Sequence, residues 1–349
     1  MVYTLPGRLR DKLWPESLPP PGSFDGQTVL VTGATAGLGL AAAQHFTTLG
    51  ATVIITSRSK AQGEAARGQI AQYTGAPPGK IHALQLDMNE YNSCVALVNE
   101  LKQSEPGRRG IDYAVLNVGV INPAFVESTE GWEQTIQVNT LSTTLLGLLL
   151  LDWMKEMTYN GQRPPHLVFV ASRDHLDPDI SRWAEYGAKE GVLRHFSSRD
   201  NWPVGKLDPN YANSKLMLMY AVEELCKQAV ATDGRVLVII NTVCPGLVAT
   251  DIARSIVKSS PLMKIVVPIY LGFLGKSADY GARFYVTAAC ASQEQHGKNI
   301  QSLFTEEEYR GLAAPNLNSE NAQIVKKVVV KEIMDELRAK VPSLHELIP

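Results

Sequence analysis

The chain has 349 residues, 45% of them hydrophobic, and a formal net charge of −2. That length can bury a sizeable core as one large domain or two small ones. The near-neutral balance, without a basic stripe, argues against nucleic acid as a partner. Cys94, Cys226, Cys244 and Cys290 lie far apart, with no Cys-x-x-Cys pair and no histidine at a zinc-binding spacing. Reduced thiols, a reducing compartment and no metal site are therefore expected.

Residues 1–25 form a proline-rich arm with scattered charges; Arg8, Arg10 and Lys12 make its short basic cluster, read as a solvated arm. The arm has no apolar core and does not have the pattern of a signal peptide. The first strand is expected at 28–32, followed by a glycine-rich loop and a helix over 38–49. A strand at 52–56, a helix at 60–73, a strand at 81–86, a helix at 90–103 and a strand at 113–117 continue the alternation. A long helix over 132–157 precedes a strand at 166–171, and a helix over 211–231 precedes a strand at 236–243. A helix at 278–292 and a strand at 299–304 complete the pattern.

These strands are unbroken apolar runs, which implies a parallel sheet covered on both faces. Right-handed crossovers then give an α/β fold with a doubly wound parallel sheet, one Rossmann-fold domain over 26–305. Residues 306–349 read as a helical extension. Its last helix, 319–341, carries Ile324, Val328, Ile333 and Leu337 on one side and is expected to pack on its own domain. The apolar run 262–274 is broken by Lys264 and Pro268, and it is shorter than the about 20 residues a membrane span needs. A soluble cytoplasmic protein is expected, with a dip into a membrane surface as the alternative for that run.

Three local patterns carry chemistry. The loop Thr32-Gly33-Ala34-Thr35-Ala36-Gly37-Leu38-Gly39 lies between an apolar strand and a helix. Glycine there permits a tight turn and close backbone approach to a pyrophosphate seated on the helix N-terminus. Past the second strand the chain reads Ser57-Arg58-Ser59-Lys60, where an NAD-preferring fold usually places a carboxylate, about 20 residues beyond the glycines. A carboxylate would repel a ribose 2′-phosphate, whereas Arg58 can grip it with a forked contact, so NADP(H) is the expected cofactor. Tyr211 and Lys215 stand four residues apart in a helical stretch, where they stack on one face. A cation beside a phenol lowers its pKa and suits it to exchange protons with a substrate.

With these motifs in this order, residues 26–305 resemble the short-chain dehydrogenase/reductase family. The resemblance adds Asp87 and Met88 beside the adenine and the turn Asn117-Val118-Gly119, in which Val118 replaces the usual alanine. It implies a catalytic tetrad of Asn139, Ser172, Tyr211 and Lys215. It also implies that Pro245, Gly246, Val248 and Thr250 hold the nicotinamide carboxamide. The implied reaction is transfer of hydride between NADPH and a small-molecule carbonyl, with Ser172 polarising the oxygen and Tyr211 donating the proton. Asn139 is expected to support a water between Lys215 and solvent.

The chain departs from compact members of the family between Ser172 and Tyr211. The added stretch, 173–209, holds Trp183, Tyr186, His195, Phe196 and Trp202 among charges, and with both ends at catalytic positions it is expected over or beside the substrate cleft. His175 and His195 read as ordinary solvated histidines. Asn201-Trp-Pro, with the following Tyr-x-x-Ser-Lys-Leu, looks like fungal relatives of the retinol dehydrogenase-like branch, many of which act on secondary metabolites. The apolar segment 251–275 is expected to be a flap for a bulky substrate. An enzyme acting on lipid at a membrane and a non-catalytic NADP-binding regulator are the alternatives. Family members pair along the Tyr211 helix and the long helix before it, which implies a homodimer unless the arm and C-terminal helix cover those faces.

Overall fold

A computed structural model describes residues 12–13, 16–203, 206, 209–249, 252, 257 and 261–346. The strands are β1 (Thr28–Val31), β2 (Thr52–Ser57), β3 (Ile81–Gln85), β4 (Tyr113–Leu116), β5 (His166–Val170), β6 (Ile239–Cys244) and β7 (Asn299–Gln301). They form one sheet in the order β3-β2-β1-β4-β5-β6-β7, and every pairing is parallel. Val29 pairs with Val53 on one side and Tyr113 on the other, so the chain direction of winding reverses between β1 and β4. In doubly wound sheets ligands settle at the carboxyl end of the strands at that point.

The helices are α1 (Gly37–Thr48), α2 (Lys60–Thr74), α3 (Tyr91–Gln103), α4 (Thr143–Tyr159), α5 (Trp183–Lys189), α6 (Val192–Phe196), α7 (Tyr211–Gln228), α8 (Met263–Leu274), α9 (Ala278–Ala289), α10 (Glu306–Ala313) and α11 (Glu320–Lys340). Two apolar cores lie on the two faces of the sheet. One joins Ala42 and Phe46 of α1 to Ala282 and Phe284 of α9; the other joins α3, α4, α7 and α11. The unbroken apolar strands follow from this, since each side chain of Val29, Leu30 and Val31 meets one core or the other.

Three elements differ from their expected form. The long helix over 132–157 is interrupted: a turn at Gln134–Ile136 leads into a π-helical segment, Gln137–Ser142, before α4 begins. The buried Glu133 carboxylate caps that start, accepting from the Ile136 N–H at 3.2 Å. α7 ends earlier than 231 because Val230 bridges back to Val236 around a turn at Asp233 and Gly234. On α11 Ile333 and Leu337 are buried as expected, but the rest of the stripe is Ala322, Val325 and Val329 rather than Ile324 and Val328, and Ile324 is 51% exposed.

The insert packs beside the sheet against α11. Glu332 of α11 caps α6, its carboxylate accepting from Val192 N–H at 2.8 Å and Leu193 N–H at 2.9 Å. Trp183, Tyr186, His195 and Phe196 form an aromatic cluster, in which His195 stacks on Tyr186 at 3.6 Å. Lys326 of α11 pairs with Glu223 of α7, and the Tyr220 hydroxyl donates to the Asn316 carbonyl at 2.7 Å. The C-terminal extension therefore lies on the helix that carries Tyr211 and Lys215.

Candidate active site

A cleft of about 600 Å³ opens at the carboxyl end of the strands, between β1 and β4. One end is the turn after β1. Gly33 has a φ of +66°, and a Cβ on it would lie 2.8 Å from the Val118 side chain. A Cβ on Gly39 would meet the Gly33 carbonyl at 2.5 Å and the Asn117 amide at 2.6 Å. Only glycine fits either place, and the consequence is a backbone cradle at the start of α1. The N-cap of α1, Ala36, makes no side-chain hydrogen bond, and the first turn has no acid. Its amide N–H groups and the positive end of its dipole are thus left for an anion.

Gly33, Thr35, Ala36, Gly37, Leu38 and Gly39 line the cleft, as do Arg58, Asn117, Val118 and Gly119. Ser172, Tyr211, Lys215, Pro245, Gly246 and Val248 form its other end. Thr32 is buried behind the loop, where its hydroxyl oxygen accepts from the Asn117 N–H at 2.9 Å. Ser57 is also buried and donates to the Ser59 carbonyl at 2.8 Å, while Lys60 begins α2 at the surface. Asp87 accepts from the Asn89 backbone and side chain, and Met88 lies in the core, so neither lines the cleft. Thr250 falls outside the described residues.

The tetrad positions converge. Tyr211 and Lys215 share one face of α7, with the Lys215 Nζ 5.7 Å from the Tyr211 ring centroid. Lys215 is buried and donates to the Val170 carbonyl at 2.8 Å, which ties α7 to the end of β5 two residues before Ser172. Burial lowers the Lys215 pKa to about 8, with Cys244 and Asp174 acting in the opposite sense. Asn139 sits in the π-helical segment with its amide engaged. Its Oδ1 accepts from Val120 N–H at 2.9 Å, and its Nδ2 donates to the Val120 carbonyl and the Ser214 hydroxyl, each at 3.0 Å. A π turn widens the helix where a side chain must reach sideways, and here it lets Asn139 clamp the loop after β4 to α7.

Several residues at the site carry no local sequence signal. Tyr285 of α9 donates to Asn117 Oδ1 at 2.8 Å; burial raises its pKa well above the usual value, so it remains a donor. Asn117 in turn donates to the Thr32 carbonyl at 2.9 Å, which fixes the cradle. Asn210 donates to Glu133 at 3.0 Å and to the Phe196 carbonyl at 2.8 Å, setting the start of α7. Lys276 is buried beneath the Pro-Gly turn and donates to the Pro245 carbonyl at 3.1 Å. Each such pair is distant in sequence, so no spacing could have revealed it.

Of the insert, Arg173 and Asp174 line the cleft, and the described remainder lies beside it. Trp202 meets Phe125 edge-on at 5.4 Å and Arg199 lies 4.5 Å over the same ring, so the insert steadies the loop after β4. His195 is held by Glu190 at 2.8 Å rather than pointing freely to solvent. From the apolar segment, Ile252, Tyr270 and Leu274 line the cleft. α8 buries none of its residues, and Leu262, Ile265, Ile269 and Phe273 are each more than three-fifths exposed, at 62%, 62%, 66% and 62%. Among the described residues no helix is long and apolar enough to cross a membrane.

A parallel, doubly wound sheet with a glycine cradle at its switch point and a Ser, Tyr and Lys group at the far end of one cleft defines a dinucleotide-fold oxidoreductase class. The family profile described as short chain dehydrogenase matches residues 27–201. The short-chain dehydrogenase/reductase ffsI of Aspergillus flavipes is 32% identical over 334 residues, 94% of this chain and 91% of that protein. The short chain dehydrogenase atnD of Emericella nidulans is 34% identical over 81% of this chain and 86% of its own length. The chain belongs to the short-chain dehydrogenase/reductase family, alongside these fungal members. Among solved structures, the Pseudomonas aeruginosa RhlG/NADP active-site complex overlays with a TM-score of 0.59 at 20% identity, covering 81% of this chain and 97% of that one. The 3-oxoacyl (acyl-carrier-protein) reductase of Agrobacterium tumefaciens C58 with NADP bound gives 0.56 at 21%, covering 80% and 94%. At such identities the likeness is one of fold.

Proposed function

We propose that the protein is an NADPH-dependent carbonyl reductase that converts a ketone or aldehyde on a bulky apolar molecule to the alcohol. The observation that carries this reading is the convergence of Ser172, Tyr211 and Lys215 at one end of a cleft whose other end is the glycine cradle. The cradle that a Cβ would fill, and the uncapped start of α1, fit a dinucleotide pyrophosphate. Arg58, exposed at the end of β2 and lining the cleft, fits a 2′-phosphate. Asn117, Gly119, Pro245, Gly246 and Val248 would hold the remainder, with Thr250 expected to join them and Asp87 and Met88 set behind the adenine end.

When bound, NADPH supplies a hydride to the carbonyl carbon. The chain's residues manage charge and the proton. The Ser172 hydroxyl donates to the carbonyl oxygen as negative charge gathers there, and Tyr211 gives up its proton to the resulting alkoxide. The Lys215 ammonium, anchored on Val170, lies close enough to stabilise the tyrosinate that remains. Asn139 holds the geometry of the loop and helix around that ammonium.

The wide apolar border of α8, with Tyr270 and Leu274 lining the cleft, suits a poorly water-soluble substrate, and a polyketide-derived ketone is the class we propose. A cytoplasmic enzyme fits this reading. Because α11 lies across α7, we expect a monomer rather than a homodimer paired through α7. The exposed apolar stripe of α8 favours one second reading, action on lipid at a membrane surface. The deciding experiment follows NADPH oxidation with a panel of bulky aromatic ketones, phenanthrenequinone among them. Tight NADPH binding with no turnover of any ketone would favour a non-catalytic regulator. Co-flotation with vesicles would favour the lipid reading.

A further inference from the structure

His175 lies three residues past Ser172, is fully buried at 0% exposure, and has no part in the chemistry above. Both of its ring nitrogens are engaged. Nδ1 is 2.5 Å from the Ser172 carbonyl oxygen, and Nε2 is 3.0 Å from the Tyr309 hydroxyl. A carbonyl can only accept, so Nδ1 carries the hydrogen and Nε2 accepts from the Tyr309 O–H. Burial lowers the His175 pKa, which keeps the ring neutral, and burial raises that of Tyr309, which keeps it a donor.

Tyr309 belongs to α10, beyond the last strand of the sheet. A second residue of the same extension grips the same segment. The Asn316 Nδ2 lies 3.1 Å from the Leu176 carbonyl and 3.0 Å from the Pro178 carbonyl. Residues 173–176 form a single 3₁₀ turn, Arg173–Leu176, at the head of the long insert. The turn has bonds of its own, the Asp177 N–H to the Asp174 carbonyl at 3.1 Å and the Arg173 guanidinium to the Asp177 carboxylate at 2.6 Å, but these lie within the segment, whereas His175 and Asn316 tie it to the extension. The Ser172 Oγ accepts from the Asp174 N–H at 3.2 Å, which leaves its own hydrogen free to be donated elsewhere.

We propose that the C-terminal extension completes the active site in cis, with Tyr309 acting through His175, and Asn316 beside them, to hold the turn that aims the Ser172 hydroxyl. The inference rests on the reading of Ser172 as the group that polarises the carbonyl. Tyr309 and His175 are positioning residues. The plain alternative is that they only fill the core, in which case their loss would lower stability and cofactor binding along with rate.

Full-length Tyr309→Phe, His175→Asn and His175→Ala separate these cases, with phenanthrenequinone and NADPH as the probes. Tyr309→Phe keeps the ring and removes one donor. His175→Asn keeps a donor where Nδ1 stands and loses the link to Tyr309. A displacement of the hydroxyl by about an ångström costs up to about a hundredfold in rate. We expect kcat to fall about tenfold in Tyr309→Phe and about a hundredfold in His175→Ala, with partial recovery in His175→Asn. The NADPH dissociation constant and the melting temperature should stay close to wild type in Tyr309→Phe. Amide exchange of residues 172–177 should quicken in that variant. Wild-type kcat and wild-type exchange in Tyr309→Phe would overturn the proposal, as would a fall in kcat matched by equal losses of NADPH affinity and stability. If the wild-type protein binds NADPH but reduces no ketone, the reading of Ser172 fails instead, and the exchange of residues 172–177 still decides whether the extension holds the turn.

Discussion

On the sheet side of the cleft the polar groups are pinned by partners within the protein: Asn117 by Thr32 and Tyr285, Asn139 by Val120 and Ser214, Lys215 by Val170. On the other side, α8 buries none of its twelve residues and presents Ile265, Ile269 and Phe273 to water. The first wall is preorganised, so little reorganisation is needed at the moment of reaction. The second gains stability only when apolar surface is covered, at about 25 cal/mol per Å². On the proposed function, chemistry is built into the sheet side, while selection of the substrate falls to the apolar surface of α8.

The sharpest way to break this comparison is at the proton donor. Tyr211→Phe should keep NADPH affinity and lose about a thousandfold in kcat, in line with the loss of one general acid. Steady-state kinetics beside fluorescence titration of NADPH would check it, and near-normal turnover would falsify the division between the two walls. Arg58→Ala comes next. Losing a charge-assisted contact of about 1.5–3 kcal/mol should raise the KM for NADPH by roughly ten- to a hundredfold. The KM for NADH should change little, and an equal rise for both cofactors would remove Arg58 from the 2′-phosphate.

The pH profile tests the preorganised wall through Lys215. Burial lowers its pKa to about 8, so the ammonium is present below that pH and lost above it. We expect kcat/KM to fall through a limb near pH 8, by about tenfold per further unit. Arginine is charged throughout this range, so Lys215→Arg should lack the limb even if its rate is lower. The smallest effect belongs to the apolar wall. Leu274→Ser should raise the KM for bulky ketones a few-fold, about the value of one or two lost methylene contacts, and leave kcat nearly unchanged. A large fall in kcat there would mean that the flap side also shapes the chemistry.

Most of the sheet was legible because each buried strand is a local apolar run, and the run needs no distant partner to be recognised. The cradle was legible for a similar reason: Gly33 takes a φ of +66° and Gly39 packs on the Gly33 carbonyl, both features of a single turn. The candidate catalytic pair was legible through the four-residue step from Tyr211 to Lys215, which is a property of helix geometry alone. Where the reading slipped, the cause was a partner from afar. On α11 the buried stripe takes in Ala322, Val325 and Val329 beside the expected Ile333 and Leu337, because α7 and the insert meet it there, and that contact is not encoded in its own period. His175 reads as a solvated loop histidine until Tyr309 closes over it.

By itself, then, the sequence determined the doubly wound sheet, the place of the dinucleotide cradle, and the Tyr211–Lys215 step, since all three follow from short-range sterics and periodicity. Only the tertiary structure decided that the insert docks on α11 through Glu332, that Tyr285 locks Asn117, and that the extension reaches the turn after Ser172. Those contacts join residues 140, 168 and 134 positions apart, and packing selects them by shape and by the need to satisfy buried polar groups.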